Sequence, residues 1–184
     1  MSLSALLIEH CSPTLASLKA GSLFSLPSSS LCQLEEEAQQ LNTQFAPKGL
    51  ALRLIRVDER HALCYLYRHA QLAAMLADKP CAAFLNTQGY DSLSVQDALD
   101  RLCSRLAQSP SFPHEVGLFL GYPLADVVAF IENKGKNCLC CGCWKAYTDA
   151  CAARRLFAKF SKCTEVYKRL YHNGRTLCQL TVAV

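Results

Sequence analysis

Apolar residues recur along this chain in two rhythms, one helical and one alternating. Leu3 to Ile8 is a short apolar run, read as strand or helix, that leads into His10-Cys11-Ser12-Pro13. Ser12 is placed to cap a helix with Pro13 in its first turn, which predicts a helix from Thr14 with Cys11 just ahead of it. After Ser28-Ser29-Ser30, the positions Leu31, Leu34, Ala38, Leu41 and Phe45 mark one face of a helix ending near Pro47-Lys48-Gly49. Leu50 to Val57 and Ala62 to Tyr67 then read as a strand pair turning at Asp58-Glu59-Arg60.

The middle of the chain is mainly helical. His69 to Ala77 and Ser94 to Ala107 are amphipathic, the second opened by a box of Ser94 and Asp97 and striped by Val95, Ala98, Leu99, Leu102 and Leu106. Gly89-Tyr90 marks a turn between them. Pro113 opens a short helix through Leu120, Gly121-Tyr122-Pro123 breaks it, and a further helix with Leu124, Val127, Val128 and Ile131 inward runs to Gly135. Trp144 to Tyr147 reads as a strand, and Asp149 caps a helix whose face is Leu156, Phe157, Phe160, Cys163, Tyr167 and Leu170. Asn173-Gly174 closes that helix. Thr176 to Val182 alternates as a final strand, expected to pair with the Trp144 strand in one sheet. Strands at the start, middle and end with helices between them predict an α+β or mixed α/β fold, a small sheet packed by several helices.

Composition narrows this picture. A chain of 184 residues with 51% apolar content can bury one sizeable core, so residues 1–184 are expected to form a single domain. Twelve cysteines would suit a disulfide scaffold in a secreted protein, but Met1 to Ile8 is too short for a leader's apolar core and no run approaches membrane-spanning length. A reducing cytoplasm with mostly free thiols is the expectation. Cys64, Cys81, Cys103 and Cys178 sit in apolar periodic segments and read as small core hydrophobes.

Charge is unevenly spread. Residues 1–133 carry 9 Lys and Arg against 13 Asp and Glu, whereas residues 134–184 carry 10 against 2, so the two parts stand at −4 and +8. The surplus falls on the polar side of the C-terminal helix, at Arg154, Arg155, Lys159, Lys162, Lys168 and Arg169. Such a face suits an acidic redox protein as partner, or is a solvated helix surface only. No nucleic-acid signature accompanies it, and neither nucleic acid nor membrane is expected as a partner.

The densest chemistry lies in Asn137-Cys138-Leu139-Cys140-Cys141-Gly142-Cys143-Trp144. Cys138, Cys140 and Cys143 form C-x-C-x-x-C, with Cys141 wedged inside. Ordinary core packing has no use for four thiols in six residues, so the segment points to metal binding or thiol chemistry.

Three longer segments carry a resemblance. His10 to Ala16, Phe112 to Pro123, and Gly135 to Tyr147 through the cysteines resemble a bacterial family catalogued as domain of unknown function DUF3793. The likeness runs from near the N-terminus to the expected final strand. It implies a cysteine segment of the form C-x-C-x-x-C-W-K and a Cys-Thr pair in the following helix, matched here by Cys138, Cys140, Cys143 and Cys163-Thr164, with Cys141 an extra. It also implies an association with anaerobic bacteria and carries no activity.

Two constellations follow. Cys138, Cys140, Cys143 and Cys163 would make a four-thiolate set for zinc or an iron-sulfur cluster, because soft thiolates match those metals. An extended strand would turn Cys143 away from Cys138 and Cys140 unless Gly142 supplies a turn. The second constellation is His10 and Cys11 with His114 and Glu115: a helix-terminal thiol as nucleophile and a histidine as base, or two ligands of a mixed nitrogen and sulfur metal site, or else a plain charged helix start. No phosphate loop, dinucleotide fingerprint, metalloprotease helix or kinase signature is present, and Gly117 and Gly121 read as close packing. Three function classes result. The leading one is an accessory protein of anaerobic redox or metal metabolism, followed by a thiol-dependent enzyme and a noncatalytic module with a basic face.

Overall fold

The first apolar run is helical. The computed structural model describes residues 2–108 and 111–183, and in it α1 spans Leu3–Leu15, with the Ser2 side chain accepting from the Ala5 N–H as cap. This corrects the expected start at Thr14. Leu3, Leu7, Ile8, Cys11 and Leu15 form one buried stripe, and burying it outweighs the single backbone bond that Pro13 forfeits near the helix end. The Ser12 hydroxyl turns back onto the Ile8 carbonyl instead of capping anything.

Next come β1 (Gly21–Pro27), which the sequence pattern did not reveal, and α2 (Leu31–Phe45), with Leu34, Ala38, Leu41 and Phe45 buried as the periodicity predicts. The Leu31 side chain assigned to that face lies outside the described set. A short 3₁₀ turn ends at Gly49, whose φ of 72° sits in the left-handed region. Strands β2 (Leu50–Arg56) and β3 (His61–Arg68) follow, and the three form an antiparallel sheet in the order β1-β3-β2. Phe24 and Leu54 both stand opposite Cys64.

Beyond the sheet lie α3 (His69–Ala77), α4 (Lys79–Thr87), α5 (Val95–Gln108), α6 (Val116–Phe119) and α7 (Leu124–Glu132). A two-stranded ribbon, β4 (Cys140–Cys141) and β5 (Lys145–Ala146), precedes the long α8 (Ala150–His172) and a terminal turn of helix, α9 (Leu177–Leu180). Helices dominate and the sheet is small, so the fold is α+β.

Successive residues of β3 point to opposite faces, and both faces are covered. Ala62, Cys64 and Leu66 pack with Phe24, Leu26 and Leu52 beneath α1 and α2, while Tyr65 and Tyr67 pack with Ile55 against residues of α3, α5 and α6. This is why β3 reads as an unbroken apolar run rather than an alternation. At its end Arg68, 2% exposed, donates to the Thr14 and Leu15 carbonyls and to Val182. A cation there meets the negative end of α1 and ties the chain's last residues to it.

The expected final strand is absent. Thr176 and Gln179 form a reciprocal capping box that opens α9, so Thr176 to Leu180 supplies a helical turn with Leu177 and Leu180 buried. Strand β5 pairs instead with β4, in the register Cys140 to Ala146 and Cys141 to Lys145. Phe160 and Tyr167 of α8 nevertheless face inward, as the helical stripe requires, whereas Leu156, expected on the same face, is 38% exposed.

Candidate functional site

The cysteine segment is held as a ribbon between α7 and α8. Asp126, in the first turn of α7, accepts four hydrogen bonds from it: the Trp144 indole N–H at 2.8 Å, the Tyr147 and Thr148 N–H groups at 2.8 and 3.0 Å, and the Thr148 hydroxyl at 2.9 Å. Burial opposes its ionisation, but these donors hold the carboxyl below the usual carboxylate range. Trp144 is clasped further by Tyr122, stacked at 5.0 Å, and by the edge of Phe157 at 4.6 Å. The Tyr122 hydroxyl donates to the Cys143 carbonyl at 3.0 Å, and Lys145 Nζ donates to the Gly135 carbonyl at 2.7 Å.

Gly142 supplies the turn that the strand argument required. Its N–H donates to the Trp144 carbonyl, and a Cβ there would lie 2.2 Å from the Phe157 ring, so only glycine lets the ribbon close onto α8. Gly117 also marks a close approach, since a Cβ would come within 2.8 Å of Val127.

With the backbone pinned, the thiols point outward. Cys141 and Cys143 are exposed, Cys138 and Cys140 half-buried, and Cys140 makes a weak contact to the Ala150 carbonyl at 3.8 Å. All twelve cysteines are free thiols. Cys163 sits half-buried on α8, where burial pushes its thiol up against a smaller opposing pull from Lys159. Among the described residues, no three His, Cys, Asp or Glu side chains are gathered around a point where one ion could sit. The four-thiolate set of Cys138, Cys140, Cys143 and Cys163 is therefore not assembled as a closed cage.

The ribbon separates two recesses. On one side, Cys141 and Trp144 border an apolar cleft of about 370 Å³ shared with Phe112, Tyr122, Phe130 and Lys145. On the other, Cys143 lines a groove of about 410 Å³ with His10, Lys19, Phe157, Thr164 and Lys168. Burial raises the Cys143 thiol while the Lys19 ammonium works against that rise. Lys19 itself has its pKa lowered by burial and lies 5.2 Å over the Tyr122 ring.

The second constellation does not assemble as the spacing suggested. Cys11 is inside α1, fully buried, and burial pushes its thiol up to about 12, the reverse of a helix-terminal thiolate. His10 is exposed, stacks on Phe24 at 4.7 Å and shares its groove with Cys143. His114 packs edge-on against Phe130 at the apolar cleft, on the other side of the ribbon. Glu115, 1% exposed, pairs with Arg105 at 2.6 Å and accepts from the Tyr90 hydroxyl at 3.2 Å, so its charge is committed to joining α5 to α6. The two residues that build the site most directly, Asp126 and Lys19, carried no assigned role in the sequence. Asp126 lies three residues beyond the Phe112 to Pro123 segment, and neither it nor Lys19 belongs to a motif of its own.

A family model described as "Protein of unknown function (DUF3793)" matches residues 7–181, ribbon and both flanking helices included. The chain belongs to this family. No curated protein and no solved structure matches it. The DUF3793 match spans α1 to α9, so the ribbon is part of the family's domain rather than an appendage to it. Among the described residues, no helix is long and apolar enough to cross a membrane.

Proposed function

We propose that this DUF3793 protein is an accessory protein of anaerobic redox or metal metabolism whose ribbon is an open, exchangeable thiol site. The observation that carries this reading is the contrast between a backbone pinned by Asp126 and the outward-facing thiols of Cys141 and Cys143. Structural zinc sites close their four ligands inward, whereas a site that hands its cargo on keeps them accessible. Cys138, Cys140 and Cys143 offer soft donors suited to zinc or an iron-sulfur cluster, and a further ligand would come from Cys163 only after rearrangement, or from a partner. In the electron-exchange form, two ribbon thiols lose two electrons and two protons as a disulfide forms. A partner's disulfide takes them up and becomes two thiols.

Anaerobic purification followed by elemental analysis, visible absorption and a thiol titration tests this reading. Bound metal, a cluster absorption, or a reversible loss of two thiols that disappears when Cys138, Cys140 and Cys143 are changed to serine is the expected result. Absence of metal, cluster and any reversible thiol couple removes the proposal.

A second reading is favoured by the groove rather than the ribbon. Cys143, His10 and Lys19 share one recess, so a thiol-dependent enzyme would use Cys143 as nucleophile in place of Cys11. Alkylation rate against pH at Cys143, compared with a His10→Ala variant, tests it. A rate profile identical in the two proteins rejects His10 as the base.

A further inference from the structure

The cleft on the Cys141 side of the ribbon touches the thiol reading only through Cys141 at its border, and the rest of it is built like a ligand site. Four aromatic rings border it, from Phe112, Tyr122, Phe130 and Trp144, and Val116, Leu120 and Val127 add aliphatic walls. Its volume of about 370 Å³ suits a small two-ring molecule. Phe112 at its border is 52% exposed, a large ring left in water beside an apolar recess.

The polar groups are few and mostly committed. Asp126 reaches the cleft, but its oxygens already take four donors from the ribbon. His114 lies against Phe130. Lys145 lies 6.0 Å from the Phe130 centroid and spends one N–H on the Gly135 carbonyl, leaving two to offer. An aromatic body with an anionic group reaching Lys145 satisfies both the walls and the free donors.

We propose that this cleft binds a small planar aromatic anion, its rings against Phe112, Phe130 and Trp144 and its anionic group on Lys145. The site stands independently of the thiol reading, and either can fail alone. Cys141 borders the cleft and Cys143 does not, so a bound ligand shields the first thiol and leaves the second reactive.

Trp144 is the chain's sole tryptophan, so its fluorescence reports on the cleft directly. The full-length protein is titrated with naphthalene-2-sulfonate and with naphthalene-2-sulfonamide, which keeps the two-ring aromatic body and lacks the charge. The expected result is saturable one-to-one binding of the sulfonate with quenching of Trp144, and slower alkylation of Cys141 but not of Cys143. Lys145→Gln should weaken sulfonate binding about tenfold, as expected for one charge-assisted contact, with the neutral probe unaffected and Lys145→Arg restoring the difference. Phe112→Ala, at an exposed position where folding is not at stake, should weaken both probes. Unsaturable binding, no change at Trp144, or equal sulfonate affinity in Lys145→Gln and the parent would overturn the proposal.

Discussion

Asp126 accepts the indole N–H of Trp144 at 2.8 Å, and this one bond joins α7 to the turn that carries the exposed thiols. The same carboxylate holds Tyr147 and Thr148, so a single buried charge organises the far side of the ribbon. A carboxylate suits this place because it accepts several bonds at once and offers no donor of its own.

The Asp126 carboxyl is held below its usual range in the folded protein, so its stabilising contribution is complete above the unfolded value of about 3.9 and is lost as pH falls through the lower folded value. Trp144 emission should therefore shift to the red in acid. Asp126→Asn should flatten that acid limb and lower stability at neutral pH by about 2 kcal/mol, because the amide presents an N–H where a donor already points. Urea melts read by Trp144 fluorescence across pH check both effects, and an unchanged acid limb in the variant would count against this role.

Glu115 is predicted to matter for folding rather than chemistry. Its partner Arg105 is largely covered, so Glu115→Ala leaves a cation beside the buried Tyr90 and should cost about 3 kcal/mol. Replacing Glu115 and Arg105 together with methionine should recover most of that loss. Chemical denaturation of the single and double variants decides it, and a double variant no better than the single would contradict the ion-pair account.

The thiols should divide into reactive and inert classes. Cys141 and Cys143 are exposed, whereas Cys11 and Cys64 are buried with thiols raised well above the ordinary value. Mass-resolved alkylation of the native protein should label the first pair within the time that leaves the second pair unmodified until the chain unfolds. Early labelling of Cys11 would show that α1 opens locally.

The basic side of α8 is solvent-facing at Arg154, Arg155, Lys159, Lys162, Lys168 and Arg169, although Lys162 pairs with Glu165 and Lys168 with Glu9. If this face receives an acidic redox protein, changing Arg154, Arg155 and Lys159 to glutamate should abolish capture from an anaerobic lysate, and salt should weaken capture by the parent. Equal recovery with parent and variant would leave the face as solvation alone.

Local rules carried much of this architecture. Helices α2, α3, α5 and α8, the β2-β3 pair, the Asp149 cap and the turn at Gly49 follow from apolar periodicity and from residues whose side chains or φ angles serve one local purpose, and each is visible within about four residues of chain. The α+β class came from the same source, whereas the family likeness rests on three longer segments, His10 to Ala16, Phe112 to Pro123 and Gly135 to Tyr147. What the sequence left open depended on partners distant along the chain. β1 exists because β3 lies beside it, and Thr176 to Leu180 became helix because its capping box and two buried leucines had no strand to meet. Cys11 looked like a helix-terminal thiol until the stripe from Leu3 to Leu15 was buried as a single helix, which placed it in the core. The cysteine motif named the ribbon, but only packing decided that Asp126 pins it, that Gly142 presses it on Phe157, and that Cys141 and Cys143 open onto different recesses. Periodicity tells which face a residue takes on its own element, whereas a site is made by the residues that other elements bring to that face.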